Sequence, residues 1–300
     1  MSAIGSGHYS PLRYPGGKGK LAKFIRKVIE KNGFSDGHYI EPYAGGAAIA
    51  CEMLLTGIVD KVTINDASYQ VYSFWNAVIT ETDRFVQKIY DAPLTVDYWS
   101  KQKNIFKDPL SSQFDIGFAT FFLNRTNRSG ILNGGVIGGQ SQTGQWKIDA
   151  RFNKAELIKR IESIASQSSK ITVSNMDALE LIKEHDRKPL SNSVIYLDPP
   201  YYLKGRDLYY DFYSSDDHAA LASVIRKMRF KNWIVSYDDV EEIRALYRGQ
   251  KTIVYEIGYS AKKSGMGREV MFFGRNFIIP EACGSMREYD RRAADSALTI

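Results

Sequence analysis

The sequence predicts an α/β fold, a doubly wound and mostly parallel sheet of seven strands with a mainly helical insertion. Three observations predict it. The first is a series of short apolar runs, His38–Pro42, Lys61–Ile64, Ile171–Ser174, Asn192–Leu197 and Trp233–Ser236, separated by stretches of helical apolar spacing; that alternation belongs to βα crossover units. The second is the turn Tyr43-Ala44-Gly45-Gly46, which follows the first run and opens a helix through about Leu55. Asp66 stands 20 residues past Gly46, at the end of the second run, a distance that suits a carboxylate reaching two ribose hydroxyls. The third is Asp198-Pro199-Pro200-Tyr201, which ends the run Asn192–Leu197. Two prolines have no N–H for a ladder and restrict the residue before each, so the chain leaves the sheet there.

The remaining elements follow in order. Residues 1–10 read as a loose arm. Leu21, Phe24, Ile25, Val28 and Ile29 share one helical face, and Gly33 ends that helix. From about Tyr69 to Ala150 strands vanish, with helical spacing around Val71, Phe74, Trp75 and Val78 and again around Phe118, Phe121 and Phe122. The tip of this insertion carries Asn124, Arg125, Asn127 and Arg128, followed by the glycine-rich stretch from Asn133 to Gly144. Arg and Asn are the side chains that pair bidentately with guanine and adenine edges; a polar glycine-rich loop without a partner is the alternative. Helices are expected over Lys154–Ser166, Ser215–Met228 and Val240–Tyr247. A closing hairpin, Lys251–Gly258 with Val270–Phe273, encloses a loop whose Lys262, Lys263 and Arg268 either touch phosphates or form a solvated basic face. Tyr209, Tyr210, Phe212 and Tyr213 form either a lid or a satellite core cluster. The last dozen residues read as a tail.

Composition narrows the function classes. Lys and Arg number 40 against 34 Asp and Glu, a net charge of +6, which favours a polyanionic partner. Cys51 and Cys283 lie far apart and outside any metal-type spacing, as expected of reduced thiols in a cytoplasmic protein. The four histidines form no metal motif, so no metal is expected. No apolar run reaches membrane-spanning length and the first residues do not form a signal peptide. Pro15-Gly16-Gly17-Lys18 lacks the spacing of a phosphate loop.

The chemistry that fits Asp198–Tyr201 is methylation of an exocyclic amine. An adenine amino nitrogen is a poor nucleophile because its lone pair is delocalised into the ring. Acceptors on its two N–H bonds draw that pair out of conjugation; Asp198 can supply one and the Pro199 carbonyl, held by Pro200, the other. Tyr201 can stack on a base extruded from the duplex. A strand-ending turn with an N-capping aspartate is the plainer reading of the same tetrapeptide.

Six segments, Arg13-Tyr14-Pro15-Gly16-Gly17-Lys18, Glu41-Pro42-Tyr43-Ala44-Gly45-Gly46, Asn65-Asp66, Phe121-Phe122-Leu123-Asn124-Arg125, Asn175-Met176-Asp177 and Asp198-Pro199-Pro200-Tyr201, occur in the order of one family. The chain resembles the Dam-type DNA adenine-N6 methyltransferases, the alpha group of amino-methyltransferases, over residues 13 to 201, with weaker similarity towards residue 275. The resemblance implies a Rossmann-like methyltransferase sheet, S-adenosyl-L-methionine as methyl donor and double-stranded DNA as substrate. It implies a cofactor half at 10–70, a target-recognition domain at 71–150, a catalytic half at 151–285 and a flexible tail at 286–300. Tyr14, Gly16 and Gly17 would lie over the methionine end of the donor, and Lys18 would contact its carboxylate or the DNA. Glu41, Pro42, Tyr43, Gly45 and Gly46 would shape the donor site, Asp66 would take its ribose, and Asp177 would accept from its adenine amine. Helix N-capping is the competing role for both Asp66 and Asp177. Asn124 and Arg125 would contact DNA, with Arg128 a looser match. Thr126 stands where the family has an aromatic, which leaves a stacking role there without its residue. The rivals are cytosine-N4 methylation, an RNA or protein-glutamine methyltransferase, and a DNA-binding protein with vestigial catalytic residues. A cognate restriction nuclease or another defence component is the kind of protein partner such an enzyme would have.

Overall fold

The computed structural model describes residues 9–13, 18–203, 213–259 and 265–289. Its sheet has eight strands among the described residues: β1 (His38–Glu41), β2 (Lys61–Asn65), β3 (Ile171–Ser174), β4 (Ser193–Leu197), β5 (Trp233–Asp238), β6 (Lys251–Tyr259), β7 (Gly265–Phe273) and β8 (Arg287–Glu288). Their spatial order is β3-β2-β1-β4-β5-β7-β6-β8. The pairs from β3 through β5 are parallel and the remaining ones antiparallel. The order reverses between β1 and β4, which pair from His38↔Ser193 to Ile40↔Ile195; the glycine turn and the Asp-Pro-Pro-Tyr turn therefore leave adjacent central strands, as expected. One strand more than the expected seven is present, because residues 287 and 288, placed in the tail by the sequence, pair with Glu256 and Tyr255. Residues 9 and 10 likewise belong to the packed protein rather than to a loose arm: Ser10 is buried and its hydroxyl donates to the Gly46 carbonyl.

Both faces of the central strands are covered, which is why they read as continuous apolar runs. Along β4, Val194 and Tyr196 join one core cluster and Ile195 and Leu197 the other. Helices α8 (Ala178–Arg187), α9 (Ser215–Lys227) and α10 (Glu241–Leu246) cover the second cluster through Ile182, Leu221, Ile225 and Ile243. The first cluster takes α1 (Ala22–Lys31), whose Phe24, Ile25, Val28 and Ile29 are all fully buried, and α2 (Ala48–Leu55). Gly33, with φ +75°, follows the end of α1 in the left-handed conformation that glycine adopts at little cost. Among the described residues no helix is long and apolar enough to cross a membrane.

The insertion has a definite topological place. β2 and β3 are adjacent and parallel, Val62 opposite Ile171, so everything between them is one enlarged crossover. It contains α3 (Tyr69–Thr80), α4 (Thr82–Asp91), α5 (Val96–Lys107), α6 (Gln113–Thr126) and α7 (Lys154–Ala165). Ser68, Thr95 and Ser112 cap α3, α5 and α6 with side-chain acceptors. Phe74, Phe85, Phe118, Phe121, Phe122 and Phe152 share one continuous apolar cluster with Tyr39, Val62 and Ile64 of the strands. At the α3–α6 crossing a Cβ on Gly117 would stand 2.4 Å from the Ser73 carbonyl oxygen. Gly117→Ala gains up to about 1 kcal/mol of helix propensity, yet the atom it meets is main chain and cannot swing away, so overpacking of about 1–3 kcal/mol should win. A lowered melting temperature is the expected result, and an unchanged or raised one would show that α3 and α6 separate freely.

Candidate active site

Three strand ends are tied together by one amide. Asn65, fully buried at the end of β2, donates to the Pro42 carbonyl at 2.9 Å and the Met176 carbonyl at 3.0 Å. Its Oδ1 accepts from Met176 N at 2.9 Å and Ser174 Oγ at 2.7 Å. The exits of β1, β2 and β3 are thereby held in register. Beside it Asp66 accepts from Gly45 N at 2.8 Å and Ser68 N at 2.9 Å. The helix cap itself is Ser68, so Asp66 is not the N-cap considered from sequence; its carboxylate braces the glycine turn. That turn is tight, with Gly45 at φ +46° and Ala47 at φ +43°, and a left-handed alanine stores strain at the mouth of α2. Trp75 Nε1 donates to the Gly45 carbonyl at 2.9 Å from the helical crossover. Asp177 does cap α8, accepting from Leu179 N and Glu180 N through Oδ1.

Glu41 is buried at the end of β1 and accepts from Tyr39 OH at 3.0 Å; burial lifts its carboxyl to about 8. Tyr43 is half-buried and its hydroxyl lies 2.9 Å from that of Tyr213. Tyr213 also packs near His218, so this end of the aromatic loop is a packed cluster. Tyr209, Tyr210 and Phe212 lie outside the described residues, as do Tyr14, Gly16, Gly17, Lys262 and Lys263.

The chain beyond β4 carries a buried charge network. Asp198 Oδ1 accepts from Ser236 Oγ at 2.8 Å and faces Lys18 Nζ at 3.2 Å. Lys18 also donates to Glu269 Oε2 at 2.8 Å and to the Tyr201 hydroxyl. Tyr201 OH donates to Glu269 Oε1, and Tyr255 OH donates to Glu269 Oε2 at 2.6 Å. Burial works against the Lys18 charge, but Asp198 and Glu269 outweigh it and raise its pKa. Glu269, fully buried, is held below its ordinary value by Lys18 and the two tyrosine hydroxyls despite its burial. Asp198 is pushed up to about 6: burial raises it, Lys18 opposes, and the like charge of Glu269 adds to the rise. Its Oδ2 and the Pro199 carbonyl accept no hydrogen bond from the described residues. The turn is fixed from β5, where Asp238 accepts from Tyr202 N at 2.9 Å and Leu203 N at 3.0 Å.

Several expectations are corrected here. Lys18, expected at the donor's carboxylate or on DNA, is engaged with Asp198, Glu269 and Tyr201. Tyr201 is 3% exposed with Lys18 Nζ 4.7 Å from its ring centroid, so its ring is packed inside rather than displayed for stacking. Asn124 and Asn127, expected to contact DNA, are interior braces. Asn124 clamps Arg13 by accepting from its N at 2.7 Å and donating to its carbonyl at 2.9 Å, and it also donates to Gly130 O. Asn127 accepts from Trp99 Nε1 at 2.6 Å and donates to the carbonyls of Ile131 and Leu132. Both amides are consumed because they close the end of α6, where backbone groups need partners. Arg125 is half-buried and donates to the Arg151 carbonyl, whereas Arg128 is exposed. Arg268 pairs with Asp239 at 2.8 Å.

Glu269, Ser236, Tyr255 and Asp238 escaped the sequence reading. For Glu269 a signal was present: it shares the period-2 side of β7 with Met271 and Phe273, both core residues, so alternation places a carboxylate inside. Its partner Lys18 lies 251 residues away, and no local pattern reports that. Among the described residues no group of three His, Cys, Asp or Glu side chains could hold a metal ion.

The donor set at these strand ends fits a nucleoside-containing ligand. Carboxylates stand at the exits of β2 and β3, where hydroxyl and amine donors need acceptors, and a glycine turn stands at the exit of β1. Comparison with solved structures returns distant likenesses. A SAM-dependent methyltransferase from Agrobacterium tumefaciens is 9% identical with a TM-score of 0.39, the match covering 86% of this chain and 63% of that one. The rRNA methyltransferase AviRa from Streptomyces viridochromogenes is 11% identical with a TM-score of 0.36, covering 91% and 88%. No curated protein matches the chain. Residues 14–260, which include every strand exit described above, match one protein family throughout, and the chain therefore belongs to the D12 class N6 adenine-specific DNA methyltransferases.

Proposed function

We propose that this protein transfers a methyl group from S-adenosyl-L-methionine to the N6 amine of an adenine turned out of double-stranded DNA, with Asp198 and the Pro199 carbonyl as the two acceptors. The observation that carries the reading is the anchoring of Asp198 at the exit of β4, next to the glycine turn of β1, with Oδ1 already engaged by Ser236 and Lys18. The acceptor positions that remain, Oδ2 and the diproline carbonyl, suit the two N–H bonds of one amine. Asp66, Asp177 and the Gly45–Gly46 turn would hold the donor's nucleoside, Glu41 and Tyr43 would wall its site, and the donor supplies an electrophilic methyl on its sulfonium. As the N–C bond forms and the C–S bond breaks, positive charge grows on the amine, and a carboxylate fixed beforehand stabilises it without reorganising. The extra amine proton is then released to solvent. Arg128 and the basic residues Lys262 and Lys263 remain proposed DNA contacts.

Asp198→Ala should keep donor affinity and lose transfer, by on the order of 3 kcal/mol or more of transition-state stabilisation. Calorimetry with the donor and single-turnover transfer of labelled methyl to DNA measure the two separately, and full activity would remove Asp198 from the mechanism. Protonated, Asp198 donates where it must accept, so the transfer rate should fall as pH drops through about 6. Glu269→Gln deletes the like charge that helps hold Asp198 up, so the acid limb of that profile should move to lower pH. The same variant should cost about 1–3 kcal/mol of stability, because a glutamine nitrogen cannot accept from Lys18 and Tyr255. An acid limb that stays in place in Glu269→Gln would disconnect Glu269 from the site.

A further inference from the structure

Four arginines from separate stretches converge at the end of α6: Arg13 on the N-terminal segment, Arg125 in the last turn of α6, Arg151 in the 3-10 turn Ile148–Arg151 and Arg160 on α7. Their meeting is built. Arg125 Nε donates to the Arg151 carbonyl at 2.7 Å, the buried Asn124 clamps the Arg13 backbone beside it, and Arg160 Nη1 donates to the Ser10 carbonyl at 3.1 Å. The carboxylate that reaches Arg125 is Glu156, which already pairs with Arg160. Arg13 Nη1 and Arg160 Nε are buried and make no hydrogen bond among the described residues. The charges oppose one another: Arg125 is pulled down to about 9, by burial first and then by Arg13, Arg160 and Arg151. Arg13 is lowered by burial and by Arg151.

Collected guanidiniums with orphaned N–H groups raise the free energy of the protein alone, and an anionic acceptor recovers it. We propose that Arg13, Arg125, Arg151 and Arg160 form a seat for a backbone phosphate of duplex DNA. A backbone phosphate presents two charged oxygens to guanidinium forks, and a duplex strand carries such phosphates in a row, so a cluster of arginines meets more than one negative charge. The seat rests on the reading of this chain as a DNA methyltransferase, and it gives buried Asn124 a positioning role at the DNA contact expected of its neighbour Arg125. Contact with a phosphate is blind to sequence, so the seat would set register and affinity without choosing the target.

The test uses Arg151→Gln, whose side chain is exposed and whose carbonyl still accepts from Arg125, together with Arg13→Gln. Duplex binding is followed by fluorescence anisotropy across a salt series, on methylatable and unrelated sequences. Each variant should weaken binding roughly five- to tenfold at moderate salt, alike on both duplexes, and reduce the slope of log K against log salt by about one. With one like charge gone, the DNA-free variants should melt no lower than the wild type. An unchanged slope overturns the proposal. So does a weaker affinity for S-adenosyl-L-methionine by calorimetry, which would assign the cluster to the donor's carboxylate. Protection of the wild type by inorganic phosphate with no change in the DNA slope would assign it to a free anion and also overturns it. Melting temperatures that fall in both variants would make the cluster a structural brace. Methyl transfer to DNA by the wild type, measured in the same preparation, reports separately on the activity itself.

Discussion

The Lys18 ammonium is the charge on which the site depends. It sits in the interior between Asp198 on the β4 exit and Glu269 on β7, and it pulls the pKa of both carboxylates down against burial. The balance is asymmetric. Among the described residues Glu269 accepts from Lys18, Tyr201 and Tyr255 and is held below its ordinary pKa, while Asp198, given a longer ion pair and one hydroxyl, remains near a pKa of 6. A carboxylate so poised is ionised at neutral pH yet keeps unspent acceptor capacity. The antiparallel hairpin of β6 and β7 is therefore more than an edge of the sheet, because it supplies the Glu269 and Tyr255 that hold Lys18 beside Asp198.

On the other side of the switch point the same task falls to neutral and acidic groups. Asn65 uses its whole amide to bind the exits of β1 and β3 to that of β2, and Asp66 ties the glycine turn to the start of α3. A buried amide with every donor and acceptor matched fixes one arrangement of the chain, since any other leaves polar groups without partners. Trp75 carries that rigidity into the helical crossover through its bond to Gly45. The turn beside the donor's proposed site and the helices beside the proposed phosphate seat are thus parts of one packed body.

Much of this was legible in the chain. The five parallel strands, the helices between them and the adjacency of the glycine turn and Asp198 follow from apolar period, prolines that cannot pair and short motifs at strand ends, and the family from the resemblance those motifs carry. Those signals are local: each depends on the conformation of a few consecutive residues. The edges were harder. β8 is two residues long, and its pairing with β6 leaves no pattern in the sequence of residues 287 and 288.

Side-chain identity also misled where a residue type has two common uses. Asn124 and Asn127 have the chemistry to read a base edge, and the fold spends both on carbonyls at the end of α6, because that end is buried and its backbone groups must be matched. Local sequence by itself determined where strands stop and which residue types stand at their ends. Only the tertiary structure decided which of those side chains face each other, bringing Lys18 to Glu269 and Arg13 to Arg125, since burial and charge pairing between distant segments depend on packing that no short stretch encodes.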